Sequence, residues 1–206
     1  MPELIQRFDE QALVWIAQYV RSGLLDPIMK IYTQLGNAGL LFIVLGLALL
    51  LFRSTRRAGL SALCAMIIGL VVVNFTIKPL VARERPWLVI ENFVNLVPES
   101  DPNSFPSGHT NAAFAFALAL CMAAPKRWMK ITAVCMAVVM GLSRLYVGVH
   151  FPSDVLVGAL VGSLCGLAGA YIVKIVWARW GSRLEKIPGL PPDAMKDYEQ
   201  DSDVNE

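Results

Sequence analysis

Long apolar runs separated by short charged connections most constrain what this chain can fold into. Apolar residues make up 56% of its 206 positions, and they are concentrated in stretches long enough to cross a bilayer as helices. Inside a bilayer the backbone N–H and C=O groups find no water, so each spanning segment must satisfy them within itself as a helix. The sequence therefore predicts an all-α integral membrane bundle in one compact unit.

Five segments have the length and composition of spanning helices. We expect them at residues 28–52, 58–80, 108–124, 130–147 and 154–177, the third beginning at Ser107 or Gly108. Asp26 and Pro27 precede the first and predict its start, with Asp26 as the cap. Its early polar residues, Thr33, Gln34 and Asn37, are expected to face the interior of the bundle.

The N-terminal region differs from these segments because it mixes charges with a narrow apolar stripe. Leu4, Phe8, Ala12, Trp15 and Tyr19 recur at helical spacing, which favours an amphipathic helix lying in the membrane interface. A sixth span over residues 3–22 is the alternative. The predicted organisation is an interfacial helix at 1–25, a membrane bundle at 26–178, and a cytoplasmic, disordered, acidic tail at 179–206.

Basic residues in the connections predict how the bundle is oriented. With five spans, one side carries Arg53, Arg56, Arg57, Lys126, Arg127, Lys130, Arg179, Arg183 and Lys186. The positive-inside rule makes that side cytoplasmic. The extracytoplasmic side then carries both histidines and a second set of cations, which need a local reason such as a shared anion.

Ionisable residues cluster between the fourth and fifth predicted spans, in the stretch SRLYVGVHFPSD at 143–154. Charged groups are costly at such a position unless they serve each other or a ligand. His150 and Asp154 are close enough across the turn for the carboxylate to accept the Nδ1 proton, which would leave Nε2 free as a base or nucleophile. The alternative is an ordinary interfacial loop in which Arg144 extends towards the headgroups.

Two further motifs favour the first interpretation. Lys78 is followed after six residues by Arg85-Pro86, and Pro106 opens the run Pro-Ser-Gly-His that ends at His109. Together with Ser-Arg-x5-His-x3-Asp they match, in order and spacing, the three-part signature of the type 2 phosphatidic acid phosphatase family. The chain resembles this family from about Asp26 to Trp177.

The resemblance implies a lipid phosphatase that works through a phosphohistidine. His150 would be the nucleophile, Asp154 would orient it, and His109 would protonate the leaving oxygen and then activate water. The implied phosphate-binding residues are Lys78, Arg85, Ser107, Gly108 and Arg144. Such a role suits them, because guanidinium groups, ammonium groups and a helix N-terminus all bind phosphate oxygens.

The remaining expectations concern metal, partners and substrate. A cation-rich layer repels metal ions, so we expect metal-independent catalysis. We also expect no cofactor and no nucleic-acid partner. Arg83 lies outside the motif positions, and pairing with Glu84 or lipid headgroups would suffice for it. The segment at 87–105 either shapes access to the site or is a plain connection.

A substrate with its phosphate at headgroup depth and its tail in the bilayer fits a site at the membrane boundary. The family resemblance points to undecaprenyl diphosphate, ahead of phosphatidylglycerophosphate or phosphatidate, in the plasma membrane of a bacterium. A lipid phosphotransferase and a membrane transport protein are the alternatives. The sequence indicates no oligomeric state.

Overall fold

The computed structural model describes residues 2–184, with side-chain surroundings for residues 2–179. Of the tail predicted to be disordered at 179–206, residues 179–184 belong to the last helix, which contradicts the prediction there, and residues 185–206 lie outside the described residues. Within them, regular structure is helical apart from one isolated bridge between Glu84 and Asn103. The predicted all-α class is confirmed.

Nine α-helices follow one another in the described residues. They are α1 (Glu3–Trp15), α2 (Leu25–Leu35), α3 (Leu40–Leu51), α4 (Arg56–Gly69), α5 (Lys78–Val81), α6 (Pro86–Val89), α7 (Gly108–Ala123), α8 (Arg127–Tyr146) and α9 (Pro152–Leu184). Short 3₁₀ turns at Asn37–Gly39 and Arg53–Thr55 lead into α3 and α4. π-helical segments continue α1 over Ile16–Val20 and join α4 to α5 over Leu70–Ile77.

Helix α7 forms the centre of the bundle and packs against α4, α8 and α9. It can be surrounded closely because its inner positions are small, and Ala113, Ala115, Ala117 and Ala119 are fully buried. Helix α9 approaches α7 closely through glycine residues. A Cβ atom at Gly158 would lie 2.7 Å from the carbonyl oxygen of Ser107, so α9 needs glycine to approach α7 this closely.

Three continuous helices in the described part of the chain are long and apolar enough to cross a membrane: Arg53–Val81, Arg127–Tyr146 and Pro152–Arg179. The bent pair of α2 and α3 makes a fourth candidate if it counts as one span. Helix α7 is apolar but has only 16 residues, fewer than the roughly 20 that a full crossing needs. The count of five spans therefore stays a prediction.

The first predicted span is not one straight helix. Helices α2 and α3 meet at an angle of 54°, because Ala38 (φ 51°) and Gly39 (φ 73°) take the left-handed conformation and interrupt the helix. Asp26 is not its cap: it lies inside the first turn of α2, where its carboxylate accepts a hydrogen bond from the Tyr146 hydroxyl at 2.7 Å.

Of the three polar residues expected to face the interior from this segment, Thr33 is fully buried. Gln34 is exposed, which contradicts the expectation for that residue. Asn37 is exposed as a residue, but its side-chain oxygen contacts His109.

Helix α1 lies against the bundle with Asp9 and Leu13 buried and most of the predicted apolar stripe facing outward. Leu4, Phe8, Trp15 and Tyr19 are all exposed, as lipid-facing residues would be. This arrangement suits an interfacial helix, and the interfacial position itself stays a prediction.

Candidate active site

Chain direction brings the predicted site residues to one end of the bundle. Helix α5 and helix α8 end there, whereas α7 and α9 begin there. The residues that meet at this end are Lys78, Arg85, Ser107, Gly108, His109, Arg144, His150 and Asp154. The predicted single layer of polar motifs is therefore present.

A cavity of about 610 Å³ opens among these residues. Its polar wall includes Lys78, Arg85, Gly108, His109 and His150. The rest is largely apolar and is contributed by α3, α4 and the π-helical segment that follows, with Ile43, Leu63, Met66, Ile67 and Leu70. Three predicted site residues do not line the cavity: Ser107, Arg144 and Asp154. The cavity thus offers charge at one end and hydrocarbon at the other, as an amphiphilic ligand requires.

His150 lies in the short connection between α8 and α9 and is buried. Its Nε2 is 3.1 Å from Nη1 of Arg85. Since a guanidinium can only donate, Nε2 must accept, and the ring proton of the neutral imidazole belongs on Nδ1. Burial holds the pKa of His150 well below its usual value, and the charges of Arg85, Arg144 and Lys78 lower it further. The imidazole is therefore neutral near pH 7, with the lone pair of Nε2 directed into the cation cluster.

The predicted hydrogen bond from His150 to Asp154 is not formed as expected. Nδ1 lies 3.6 Å from Oδ2 of Asp154, too far for a hydrogen bond, and has no other partner among the described residues. The carboxylate is held by others: Oδ2 accepts from the Phe151 amide at 2.8 Å and Oδ1 from Arg83 at 2.7 Å. Asp154 therefore faces the ring as a neighbouring negative charge.

The expectation for Arg83 is wrong. Its side chain is 8% exposed and pairs neither with Glu84 nor with headgroups. It bonds Asp154 on one side and Asp9 of α1 on the other, at 2.7 and 2.8 Å. Sequence reasoning missed both Arg83 and Asp9 as site residues. The available signals were a third cation inside the first motif and an acidic residue within an otherwise lipid-suited helix.

His109 occupies the first turn of α7, where its Nε2 is 2.9 Å from Oδ1 of Asn37 at the bend between α2 and α3. Ser107 caps α7 by accepting from the amide of Thr110 at 3.4 Å. Its hydroxyl also accepts from the Thr110 hydroxyl at 2.9 Å, so it is engaged within the helix end. Gly108 lines the cavity beside His109.

The cations were expected to be free to bind phosphate, but acidic residues of the 87–105 segment pair with them. Glu99 accepts from Arg144 at 2.7 Å, and Asp101 pairs with Lys78 at 2.5 Å. Arg85 lies 3.7 Å from the first carboxylate and 3.9 Å from the second. Burial would raise the pKa of Asp101, but the hydrogen bonds from Lys78 and the Asn103 amide and the charge of Arg85 together keep it below its usual value.

The 87–105 segment is thus part of the site and more than a plain connection. No group of three or more His, Cys, Asp or Glu side chains in the part of the chain that the structure describes is arranged to hold a metal ion.

The fold and the site define a helical membrane protein. At one end of its bundle lie two histidines and a cluster of cations that are paired with carboxylates. Residues 58–178, more than half of the chain, match the PAP2 superfamily. The chain belongs to this superfamily, and the family predicted from the three motifs is confirmed.

Curated relatives share this assignment. The chain is similar to phosphatidylglycerophosphatase B of Bacillus subtilis, with 35% identity over 78% of this chain and 80% of that protein. It is also similar to an undecaprenyl-diphosphatase of Sulfolobus acidocaldarius, with 39% identity over 56% of this chain and 55% of that protein. The matched part spans about half the length of several such relatives.

Two solved structures have the same fold. The crystal structure of Aquifex aeolicus LpxE superimposes with a TM-score of 0.68 at 30% identity and covers 79% of this chain and 94% of that one. The PAP2-type phosphatidylglycerolphosphate phosphatase of Bacillus subtilis gives a TM-score of 0.66 at 29% identity, over 86% of this chain and 88% of that one.

Proposed function

We propose that this protein is an integral membrane lipid phosphatase or diphosphatase. One observation carries the proposal: His109, His150, Lys78 and Arg85 line a single cavity whose remaining wall is largely apolar. A phosphate can reach both histidines and the cations there while its tail lies along the apolar wall. The names of the relatives, which include an undecaprenyl-diphosphatase and a phosphatidylglycerophosphatase, support the same activity.

The reaction proceeds in two displacements at phosphorus. First, Nε2 of His150 forms a bond to phosphorus as the bond to the lipid oxygen breaks, and His109 gives that oxygen a proton. Then His109 takes a proton from water, whose oxygen forms a new bond to phosphorus and releases His150 and free phosphate. Lys78, Arg85 and Arg144 stabilise the phosphoryl oxygens throughout. A neutral His150 with an unprotonated Nε2 is the form that the first step needs.

The substrate we favour is undecaprenyl diphosphate, ahead of phosphatidylglycerophosphate or phosphatidate. Several converging cations suit a diphosphate, and the apolar wall suits a long hydrocarbon chain. We place the protein in the plasma membrane of a bacterium with five spans and the site on the extracytoplasmic side. That side is the one on which a carrier lipid diphosphate is released.

Release of free phosphate by the purified protein in detergent, without an acceptor lipid, tests the activity. We expect His150→Ala to abolish turnover, because the nucleophile has no substitute, while Cys135→Ala at an exposed position on α8 keeps it. EDTA should leave the rate unchanged. Appreciable turnover by a folded His150→Ala protein would contradict the phosphohistidine route, and loss in EDTA that Mg²⁺ restores would contradict metal independence.

The same assay separates the alternatives. A phosphotransferase would need an added acceptor lipid, and a transporter would release no phosphate. Side-by-side turnover of undecaprenyl diphosphate and phosphatidylglycerophosphate in mixed micelles decides the substrate. A clear preference for the glycerophospholipid would overturn the undecaprenyl assignment.

A further inference from the structure

Asp9 is an acidic residue on a helix whose other face suits lipid, yet its side chain is fully buried. It points into the bundle, towards the start of α9. Its Oδ1 accepts from the amide of Ser153 at 3.0 Å, and its Oδ2 accepts from the Ser153 hydroxyl and from Arg83 at 2.8 Å. A buried carboxylate is tolerated only when it is paired and hydrogen-bonded, and Asp9 meets both conditions.

Arg83 connects this carboxylate to the one beside the proposed nucleophile. Its Nη2 bonds Asp9 and also Gln6 of α1, the latter at 2.6 Å. Its Nη1 bonds Oδ1 of Asp154 at 2.7 Å and the Ser153 hydroxyl at 2.8 Å. The guanidinium lies over the Phe151 ring at 4.0 Å from its centroid, so packing fixes its plane as well.

Asp154 completes a continuous series of contacts from α1 to His150. With Oδ1 held by Arg83, its Oδ2 is left to the Phe151 amide and faces Nδ1 of His150. We propose that Asp9 is a positioning residue for the reaction, which it serves by fixing Arg83 and, through Arg83, Asp154 and His150. The inference rests on the proposed phosphatase function.

The contacts from Asp9 to His150 affect the nucleophile through both charge and geometry. Arg83 shared between two carboxylates leaves one net negative charge beside His150, which favours the positive ring that forms when Nε2 bonds phosphorus. Without the charge on Asp9, only the neutral Gln6 oxygen still holds Nη2, and the guanidinium can turn both nitrogens towards Asp154. A bidentate pair would draw Oδ2 away from the imidazole and would neutralise the remaining negative charge. The nucleophile would then be present but poorly oriented.

Asp9→Asn tests this inference with little change of shape. The amide oxygen of asparagine still accepts from the Ser153 amide, so the start of α9 keeps its cap, whereas the charge opposite Arg83 is lost. Glu3→Gln is the matched control, because it makes the same kind of change on the same helix at a side chain that is 90% exposed. Both are purified in detergent with the unaltered protein and assayed on an aryl phosphate.

We expect Asp9→Asn to lower kcat on the order of tenfold or more, as loss of an outer orienting partner does. KM should change by less than about twofold, because no phosphate-binding group is altered. Glu3→Gln should behave as the unaltered protein. Combined with Arg83→Gln, the Asp9 substitution should cause no further loss, since both act through one contact series.

Additive losses in the double variant would overturn the proposal, as would wild-type kcat in a folded Asp9→Asn protein with unchanged melting temperature. A general structural defect would instead raise KM and lower the melting temperature along with kcat, and this too would overturn it. If Asp9→Asn does not fold, Asp9→Glu is assayed instead, because it keeps the charge but shifts the carboxylate that holds Arg83. Wild-type kcat in that protein would overturn the proposal. An unaltered protein without any phosphatase activity would instead refute the proposed function.

Discussion

At the scale of single residues, Glu99 and Asp101 form ion pairs with the cations that a phosphate would bind. Arg144 and Lys78 each donate to one of these carboxylates, and Arg85 lies near both. Two carboxylates and a phosphate dianion cannot share three cations without strong repulsion, so a bound phosphate must displace at least one acid. Glu99 and Asp101 thus act as competitors built into the site.

Replacing Glu99 by Gln should therefore tighten phosphate binding. Gln keeps an oxygen that can accept from Arg144, but it lacks the charge that opposes the anion. We expect the inhibition constant of inorganic phosphate to fall by about tenfold, equivalent to about 1.4 kcal/mol. Glu91→Gln, at an exposed position in the same segment, serves as the control. Unchanged or weaker inhibition by phosphate would mean that Glu99 stays in place when the anion binds.

Burial decides the protonation state of His150. Because its pKa is depressed in the folded protein, the ring stays neutral as the pH falls through its ordinary value of about 6.5. We expect the acid limb of kcat/KM on an aryl phosphate, corrected for ionisation of the substrate, to lie well below pH 6.5. An acid limb centred near pH 6.5 would contradict this assignment.

The same depressed pKa affects stability. Below about pH 6.5 the unfolded chain binds a proton at His150 that the folded protein does not, so the free energy of unfolding decreases as the pH falls. His150→Gln should remove this contribution. The melting temperature of each protein is measured in detergent at pH 7.5 and at pH 5.5. The change between the two pH values, compared between the two proteins, isolates the contribution of His150 from that of other titrating groups.

Motif residues could be predicted individually, but their partners could not. Lys78, His109 and His150 carry recognisable spacing, and the structure brings them to one cavity. Asp9 lies 74 positions from Arg83, and only the docking of α1 brings the two together. Glu99 and Asp101 fall in a segment without periodicity, so their pairing with Arg144 and Lys78 depends on tertiary structure alone.

At the scale of elements, the spacing between α7 and α9 sets the position of the site. Both helices begin there, and the Ser107 amide donates to the carbonyl oxygen of Asp154 at 3.0 Å, linking the two N-termini directly. Gly158, one turn further along α9, lets the backbone of Ser107 approach. Packing between these two helices therefore places His109 relative to His150.

Gly158→Ala should disturb this spacing. Its Cβ would lie 2.7 Å from the carbonyl oxygen of Ser107, a backbone atom that can move only with α7. We expect a loss of about 1–3 kcal/mol in stability, as overpacking usually costs, and a lower kcat because the histidines separate. Gly23→Ala is the control, since no atom lies within 4 Å of its added Cβ. Unchanged melting temperature and kcat in Gly158→Ala would show that α7 and α9 can accommodate the added Cβ without moving apart.

Helix bounds follow closely from the apolar runs, whereas the bend between α2 and α3 does not. The third predicted span at 108–124 corresponds to α7 at Gly108–Ala123, and the fourth at 130–147 to α8 at Arg127–Tyr146. Ala38 gives no signal for its left-handed conformation, because alanine ordinarily favours helix. The bend brings Asn37 to His109.

At the scale of the whole molecule, charge is segregated between the two ends of the bundle. The connection from α3 to α4 carries Arg53, Arg56 and Arg57, and the one from α7 to α8 carries Lys126 and Arg127. Both lie at the end opposite the site, because α4 runs towards the site and α7 runs away from it. The cations at the site end are buried and paired with acids, so we infer the orientation from the basic residues of the two opposite connections.

The orientation we expect places the Arg53–Arg57 connection in the cytoplasm and the 87–105 segment outside. Cys64, Cys121, Cys135 and Cys165 are all free thiols, and their removal provides a background without cysteine. Single cysteines are then introduced at the exposed positions Ser54 and Glu91, one in each segment. A membrane-impermeant thiol reagent applied to intact cells should label Glu91→Cys and leave Ser54→Cys unlabelled until the cells are opened. Labelling of Ser54→Cys but not Glu91→Cys in intact cells would reverse the orientation and would place the cavity on the cytoplasmic side, where a carrier lipid released outside the cell could not reach it.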